Sequence, residues 1–279
     1  MYKRQIILAF LFSWDQSQIL ISTSTILIFG SILLCTSIIT ICGYLINDYF
    51  DYEIDSTNKS SQIRFDKITL LKSYFGSIFI GLLLGIYLAF QLEEPLYLSI
   101  YLLAVILLFC YASYFKQNGL IGNFVVSLFS SLVVAIIWYV FELTQFEIPE
   151  EKTLVLIVFM CFIFLISMAR EIIKDCQDIE GDKKYKLKTL PITSGIGRAV
   201  IFASFFLISL GFICALWLWY SFTFYSTFIN GFLVLIILSV LFTSYKIYRA
   251  KDRSDFELIS KVLKSIMGLG ILYLFILSI

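Results

Sequence analysis

Histidine is absent from the 279 residues. Its absence removes imidazole general bases, histidine-activated nucleophiles and histidine metal ligands together. Charged residues make up only 15% and proline occurs three times, which excludes an ordinary soluble domain and a turn-rich β architecture. No polar stretch is long enough to fold alone. The longest, 51–68 and 177–195, hold under twenty residues each and read as loops, of the kind that is usually functional in a compact protein. The six cysteines (35, 42, 110, 161, 176 and 214) lack the paired spacing of a metal site and read as small apolar residues. The first apolar run is short and no small-residue cleavage site follows it, so no cleavable signal peptide is expected.

What remains is overwhelmingly apolar: 60% hydrophobic residues and a mean hydropathy of +0.92. Uninterrupted apolar runs near the roughly 20 residues that a bilayer core demands predict an all-α polytopic membrane protein. About nine helices are expected, near 5–14, 19–48, 69–92, 96–115, 119–143, 153–176, 196–220, 228–249 and 259–279. The first is too short to span. Charge placement orients them. Twenty of the 21 Lys and Arg residues fall at the N-terminus and in the connections after every second helix, with Lys152 the exception. The opposite connections carry Asp15, Glu93, Glu94, Glu142, Glu147, Glu150 and Glu151. The positive-inside rule therefore places the N-terminus and the polar connections at 51–68 and 177–195 in the cytoplasm, with the chain in the cytoplasmic membrane. The net charge of +1 says little beside this asymmetry. The basic face suits an anionic substrate or anionic membrane lipids; nothing implies a nucleic acid or an obligate protein partner.

Those two connections share a template. Asp48, Asp51, Glu53 and Asp55 recur as Asp175, Asp178, Glu180 and Asp182, 127 positions later, and together make eight of the chain's twenty carboxylates. Like charges this close repel unless a cation joins them, and the negative ends of the preceding helices add to the repulsion. Asp48, Asp51 and Asp55 stand at i, i+3 and i+7, as do Asp175, Asp178 and Asp182, which on a helix places each set on one face. Oxygen ligands without His or Cys select a hard cation, magnesium first and manganese as a substitute. Magnesium prefers a few carboxylates plus substrate phosphates, so the expectation is a facing pair of magnesium sites at a membrane surface, with a diphosphate held there. Acidic loops that merely cap helices and face water are the alternative, and the match between the clusters argues against it. The offset of four helices predicts parallel half-repeats of about 1–115 and 119–249 within one membrane domain, 1–279, with a last helix at 259–279.

Basic residues lie close by. Arg170 and Lys174 sit one turn apart ahead of Asp175; Lys183, Lys184, Lys186 and Lys188 follow, and Arg64 and Lys67 follow the first cluster. Arg grips phosphate oxygens bidentately and Lys supplies point charge. Arg170, inside an apolar helix, reads as functional, whereas Lys183, Lys184 and Lys186 read as positive-inside residues in contact with headgroups.

Asn47-Asp48-x-x-Asp51-x-x-x-Asp55, preceded by Gly43-Tyr44, resembles the first signature of the UbiA superfamily of intramembrane prenyltransferases, and Asp175-x-x-Asp178-x-x-x-Asp182 resembles the second. Tyr111, Lys116, Gly122 and Asn123 also match that family's pattern. The resemblance covers the second to seventh helices. It implies a helical bundle around a lipid-accessible cavity. The same resemblance implies that magnesium on the aspartates ionises a prenyl diphosphate, whose carbocation alkylates a lipophilic acceptor. Asp48, Asp51, Asp175 and Asp178 would be catalytic. Asn47, Lys116, Arg170 and Lys174 would orient phosphate or acceptor, with Arg64, Tyr111, Asn123 and Lys188 also binding substrate. Tyr44, Tyr49 and Tyr111 offer ring faces to a carbocation.

Arg170-Glu171-Ile172-Ile173-Lys174-Asp175, Asp178-Ile179-Glu180-Gly181-Asp182 and Lys188-Thr189-Leu190-Pro191-Ile192 resemble the digeranylgeranylglyceryl phosphate synthase branch. That resemblance implies geranylgeranyl transfer to geranylgeranylglyceryl phosphate in ether-lipid synthesis. Prenylation of an aromatic quinone precursor such as 4-hydroxybenzoate is the alternative acceptor, and a cation-coupled transporter is the alternative from another class. The transporter reading fits surface-placed carboxylates poorly, because transporter sites lie near the midplane. Asn58-Lys59 keeps the family's pattern after the first motif but Ser60, Ser61, Gln62, Ile63, Arg64 and Phe65 depart from it, so the phosphate-gripping Arg that the resemblance implies there is absent unless Arg64 substitutes.

Overall fold

The structure, a computed structural model, describes residues 23–58, 65–143 and 150–277, the side chains of 23–26, 29, 53–58 and 140–143 excepted. The expected short helix 5–14 lies outside the described residues. Within them the chain forms helices α1 (Thr23–Asn58), α2 (Lys67–Gln91), α3 (Leu96–Ser113), α4 (Leu120–Leu143), α5 (Glu150–Gln177), α6 (Ile179–Lys184), α7 (Leu190–Ser194), α8 (Ile196–Ser221), α9 (Thr227–Arg249) and α10 (Arg253–Ile276). Eight of these are long and apolar enough to cross a membrane. No extended strand occurs among the described residues; the one β-type pairing is an isolated parallel bridge between Asn118 and Lys188. Helix is the open-chain solution to lipid burial, because it satisfies its backbone polar groups internally.

Sequence and structure part company at the polar connections. The first cluster is not in a loop: α1 continues through it to Asn58, ten residues past the expected end. Hydropathy falls there, but nothing in the local sequence breaks i→i−4 hydrogen bonding. The connection 177–195 is likewise no plain loop, because α6 and α7 fill most of it. There the single-helix spacing expected for Asp175, Asp178 and Asp182 is interrupted. Asp178 stands at the junction of α5 and α6 with φ −97° and ψ 8°. The amides of Asp178 and Asp182 still donate to the carbonyls four residues back, at 3.0 Å each. The last helix begins at Arg253 instead of 259, since the Asp255 carboxylate collects the Lys251 and Asp252 amides at 3.0 and 3.3 Å.

The helices form two compact units. Among the described residues, one comprises 23–58, 65–116 and 143, and the other 117–142 and 150–277. In the first, α1, α2 and α3 pack on one another around Cys42, Ile46, Tyr74 and Ala112. Small residues bring these helices close: a Cβ on Gly43 would stand 3.2 Å from Leu108, and one on Gly81 would collide with the Tyr101 hydroxyl. Tyr101, 1% exposed, donates instead to the Ile78 carbonyl at 3.3 Å.

In the second unit α5 is central, packed on α8 and α10, while α9 packs on both of those. Gly270 of α10 accommodates the Phe162 ring, which a Cβ would approach to 2.3 Å. Polar ties pin the helix ends opposite the second aspartate cluster: Tyr225 donates to Glu151 (2.8 Å), Ser221 to Asn230 (3.0 Å) and Trp217 to Tyr273 (2.9 Å). Helix α4 is held to α5 by the Ser131 hydroxyl on the Met160 carbonyl at 3.0 Å and by an edge-on Phe124–Phe164 contact.

Candidate active site

The first cluster rides on the last turns of α1. Asn47 and Asp51 are one turn apart, so the Asn47 amide donates to Asp51 Oδ2 at 2.8 Å. Sixty-five residues later, a 3-10 turn at Phe115–Gln117 ends α3 and presents Lys116. Its ammonium donates to Asn47 Oδ1 at 3.0 Å and forms an ion pair with Asp51. One lysine thus fixes both the amide orientation and one carboxylate oxygen. Both ends of the pair are mostly sheltered, with side-chain exposures of 30% and 17%. Asp48, three residues before Asp51, is exposed, and Tyr111 is half-buried. The Lys67 ammonium lies 5.2 Å from the Tyr49 ring centre, so that ring face already receives a cation. Tyr44 is 68% exposed. The Asp55 side chain and Arg64 lie outside the described residues.

The second cluster straddles the end of α5. Asn123, in the first turns of α4 and only 8% exposed, donates to Asp175 Oδ2 at 2.9 Å. Asp182, on α6, accepts the Thr189 hydroxyl at 3.1 Å. Asp178 is half-buried at the helix junction. Arg170 pairs with Glu171 through Nη1 at 2.6 Å, and its buried Nε has no hydrogen-bond partner among the described residues. Ser167, one turn deeper on α5 and 4% exposed, has a hydroxyl with no partner among the described residues. Lys174 and Lys188 are exposed, and the Lys188 amide donates to the Gln117 carbonyl at 3.0 Å.

Within each unit the structure therefore gathers predicted residues: Asn47, Asp51 and Lys116 in one, Asn123 and Asp175 in the other. It adds two residues that composition and spacing did not single out, Glu171 beside Arg170 and Thr189 beside Asp182. Among the described residues no three carboxylates or thiols converge into a ready metal cage. That pattern fits magnesium, which binds through one or two carboxylates and takes its other ligands from water and phosphate. The donor set fits too: it is all oxygen, and each of Asp51, Asp175 and Asp182 has one oxygen held by a neutral or cationic donor.

Eight helices long and apolar enough to cross a membrane, with braced carboxylates and nearby Arg and Lys at two motifs, define an α-helical integral membrane protein with a charged candidate site. The chain belongs to the UbiA prenyltransferase family, whose profile matches residues 6–264. It is similar to the digeranylgeranylglyceryl phosphate synthase of Methanosphaera stadtmanae, at 35% identity over 253 residues, which cover 90% of this chain and 85% of that one. In fold it is similar to a structure described as digeranylgeranylglyceryl phosphate synthase in membranes, with a TM-score of 0.70 at 21% identity, covering 99% of this chain and 93% of that one. A UbiA homolog from Archaeoglobus fulgidus, bound to DMAPP and Mg2+, gives a TM-score of 0.65 at 18% identity over 99% and 94% of the two chains.

Proposed function

We propose that this prenyltransferase moves a geranylgeranyl group from its diphosphate to the free hydroxyl of geranylgeranylglyceryl phosphate, in a magnesium-dependent reaction at the cytoplasmic surface of the cytoplasmic membrane. The observation that carries the acceptor is the 35% identity to the Methanosphaera stadtmanae synthase across nine-tenths of the chain. Prenyl diphosphate and magnesium are supported by the solved relative that holds DMAPP and Mg2+. The cytoplasmic placement rests on the 20 of 21 basic residues gathered on one side.

In this reading Asp48, Asp51 and Asp55 hold magnesium in the first motif, and Asp175, Asp178 and Asp182 in the second; manganese, which also suits oxygen ligands, substitutes. When bound, the metal supplies counter-charge to the diphosphate as it leaves. Lys116 and Asn47 fix the Asp51 carboxylate so that one oxygen is committed and the other is open. Asn123 does the same for Asp175. Arg170, with its guanidinium oriented by Glu171 and its Nε unspent, has a donor left for a substrate phosphate. Lys174, Lys188 and Arg64 add positive charge near the phosphates, and Tyr111 borders the hydrophobic side. The half-repeats about 1–115 and 119–249 account for the doubled motif. The acceptor's hydroxyl proton passes to a motif carboxylate or to the released diphosphate.

Purified protein incubated with radiolabelled geranylgeranyl diphosphate, magnesium and either geranylgeranylglyceryl phosphate or 4-hydroxybenzoate tests this. A lipid product formed with the glyceryl phosphate and abolished by EDTA is expected. Product with 4-hydroxybenzoate alone overturns the acceptor, and no product with either acceptor overturns the assignment of substrates.

A further inference from the structure

Thr189 is the residue that begins α7, yet its hydroxyl does not cap that helix. A threonine in this position ordinarily accepts an amide of the first turn. Here the backbone does the local work: the Thr189 carbonyl accepts the Ile192 and Thr193 amides at 3.0 Å each. The hydroxyl turns away and donates to Asp182 Oδ2 at 3.1 Å, although the residue is only 5% exposed.

The surrounding chain is arranged to deliver that hydroxyl. After α6 the backbone folds back through Lys186, at φ +56°, so that the Leu187 amide donates to the Asp182 carbonyl at 3.0 Å. Lys188 is then tied to the 117–119 segment by its amide on the Gln117 carbonyl, and by the bridge to Asn118. Gly119 makes the approach possible. It takes φ +51°, where other residues are strained, and a Cβ there would stand 3.3 Å from the Lys188 carbonyl. A buried threonine, delivered by these backbone ties and diverted from its own helix, is positioned for Asp182.

We propose that Thr189 is a positioning residue for the second motif: its hydroxyl occupies Oδ2 of Asp182 and so aims the remaining oxygen at the bound cation. The inference rests on the reading of Asp182 as a magnesium ligand. Partners that hydrogen-bond a ligating carboxylate typically contribute about 10–100-fold in metal affinity. Valine matches threonine in shape and suits the extended backbone at φ −66° and ψ 159°, so Thr189→Val removes the hydrogen bond while keeping the shape. Serine keeps the hydroxyl and loses the methyl.

The test is a Mn2+ titration of the detergent-solubilised full chain, in the presence of an unreactive diphosphate, followed by electron paramagnetic resonance. The wild type is compared with Thr189→Val, Thr189→Ser, Asp182→Asn and the double variant Thr189→Val/Asp182→Asn. Thr189→Val is expected to weaken binding about tenfold, Thr189→Ser to stay within about twofold of wild type, and the double variant to bind no worse than Asp182→Asn. Unchanged binding in Thr189→Val beside impaired Asp182→Asn overturns the role of Thr189 alone. Equal losses in Thr189→Val and Thr189→Ser also overturn it, since the methyl and not the hydroxyl then matters. Unchanged binding in Asp182→Asn overturns the cation assignment of the motif, and the role of Thr189 with it.

Discussion

Gly81→Ala should destabilise the first unit despite replacing glycine with the best helix former. The added Cβ would lie 1.9 Å from the Tyr101 hydroxyl oxygen, 2.7 Å from Cζ and 3.0 Å from Cε2. An ordinary contact is about 3.5 Å, so the ring end must retreat by about 1.5 Å. Tyr101 has nowhere to go, being 1% exposed, and the retreat sacrifices its hydrogen bond to the Ile78 carbonyl. Overpacking of this kind costs about 1–3 kcal/mol, and the lost hydrogen bond about 1 kcal/mol. The helix preference of alanine returns about 1 kcal/mol, leaving a net loss of about 2 kcal/mol. Thermal unfolding in one detergent should show Tm lowered by about 5 °C. Gly76→Ala is the internal control: it lies on the same helix, and its Cβ would meet nothing within 4 Å. Gly76→Ala should be neutral or slightly stabilising, and Tyr101→Phe should relieve part of the Gly81→Ala loss by removing the nearest clashing atom. If both glycine variants shift Tm alike, the close approach of α2 and α3 is not what places a glycine at 81.

Asp48→Ala and Asp175→Ala should each abolish magnesium-dependent turnover. Asp48 is exposed and its removal opens no cavity, so Tm should change little, while Asp175→Ala strands the Asn123 amide and should cost about 1 kcal/mol; full activity in both variants would sink the metal assignment. Lys116→Met removes the ammonium shared by Asp51 and Asn47, and turnover should fall at least about tenfold with the fold retained; an unchanged kcat/KM for the prenyl diphosphate counts against its role. Tyr225, between α8 and α9, has its phenol pushed above the ordinary range by burial and by its hydrogen bond to Glu151. Above pH of about 10 the unfolded chain loses this proton first, so the folded state binds more protons and stability falls as pH rises. Tyr225→Phe should remove that part of the alkaline loss; Tm profiles from pH 8 to 11 that run parallel in the two proteins refute the linkage.

Physical context explains which parts of this protein were legible in its residues. Apolar runs near the length of a bilayer core specify helices almost regardless of neighbours, because lipid offers the backbone no other partner. The spans from 69 to 249 accordingly appear within a few residues of their expected limits. The paired aspartate template needed only the chain itself, since its signal is a repeat of charges in a chain that has few. The C-terminal end of α1 and the start of α10 lie beyond their hydropathy limits, because falling hydropathy next to a membrane span does not mark where a helix begins or stops. Caps and continued i→i−4 bonding decide it. Asp178 shows the converse, a helix junction within a spacing that suggested one uninterrupted face.

The sequence by itself determined the class of molecule, the order of its described apolar helices, the gathering of basic residues in alternate connections and the family. These follow from composition, period and motif, all properties of residues near one another along the chain. Only the tertiary structure decided who holds each carboxylate. Lys116 reaches Asp51 across 65 positions, Asn123 reaches Asp175 across 52, and Thr189 turns from its own helix to Asp182. The reason is that a hydrogen-bond partner is chosen by where packing leaves a donor. A lysine, an asparagine or a threonine looks alike in sequence whether it braces a site or merely faces water.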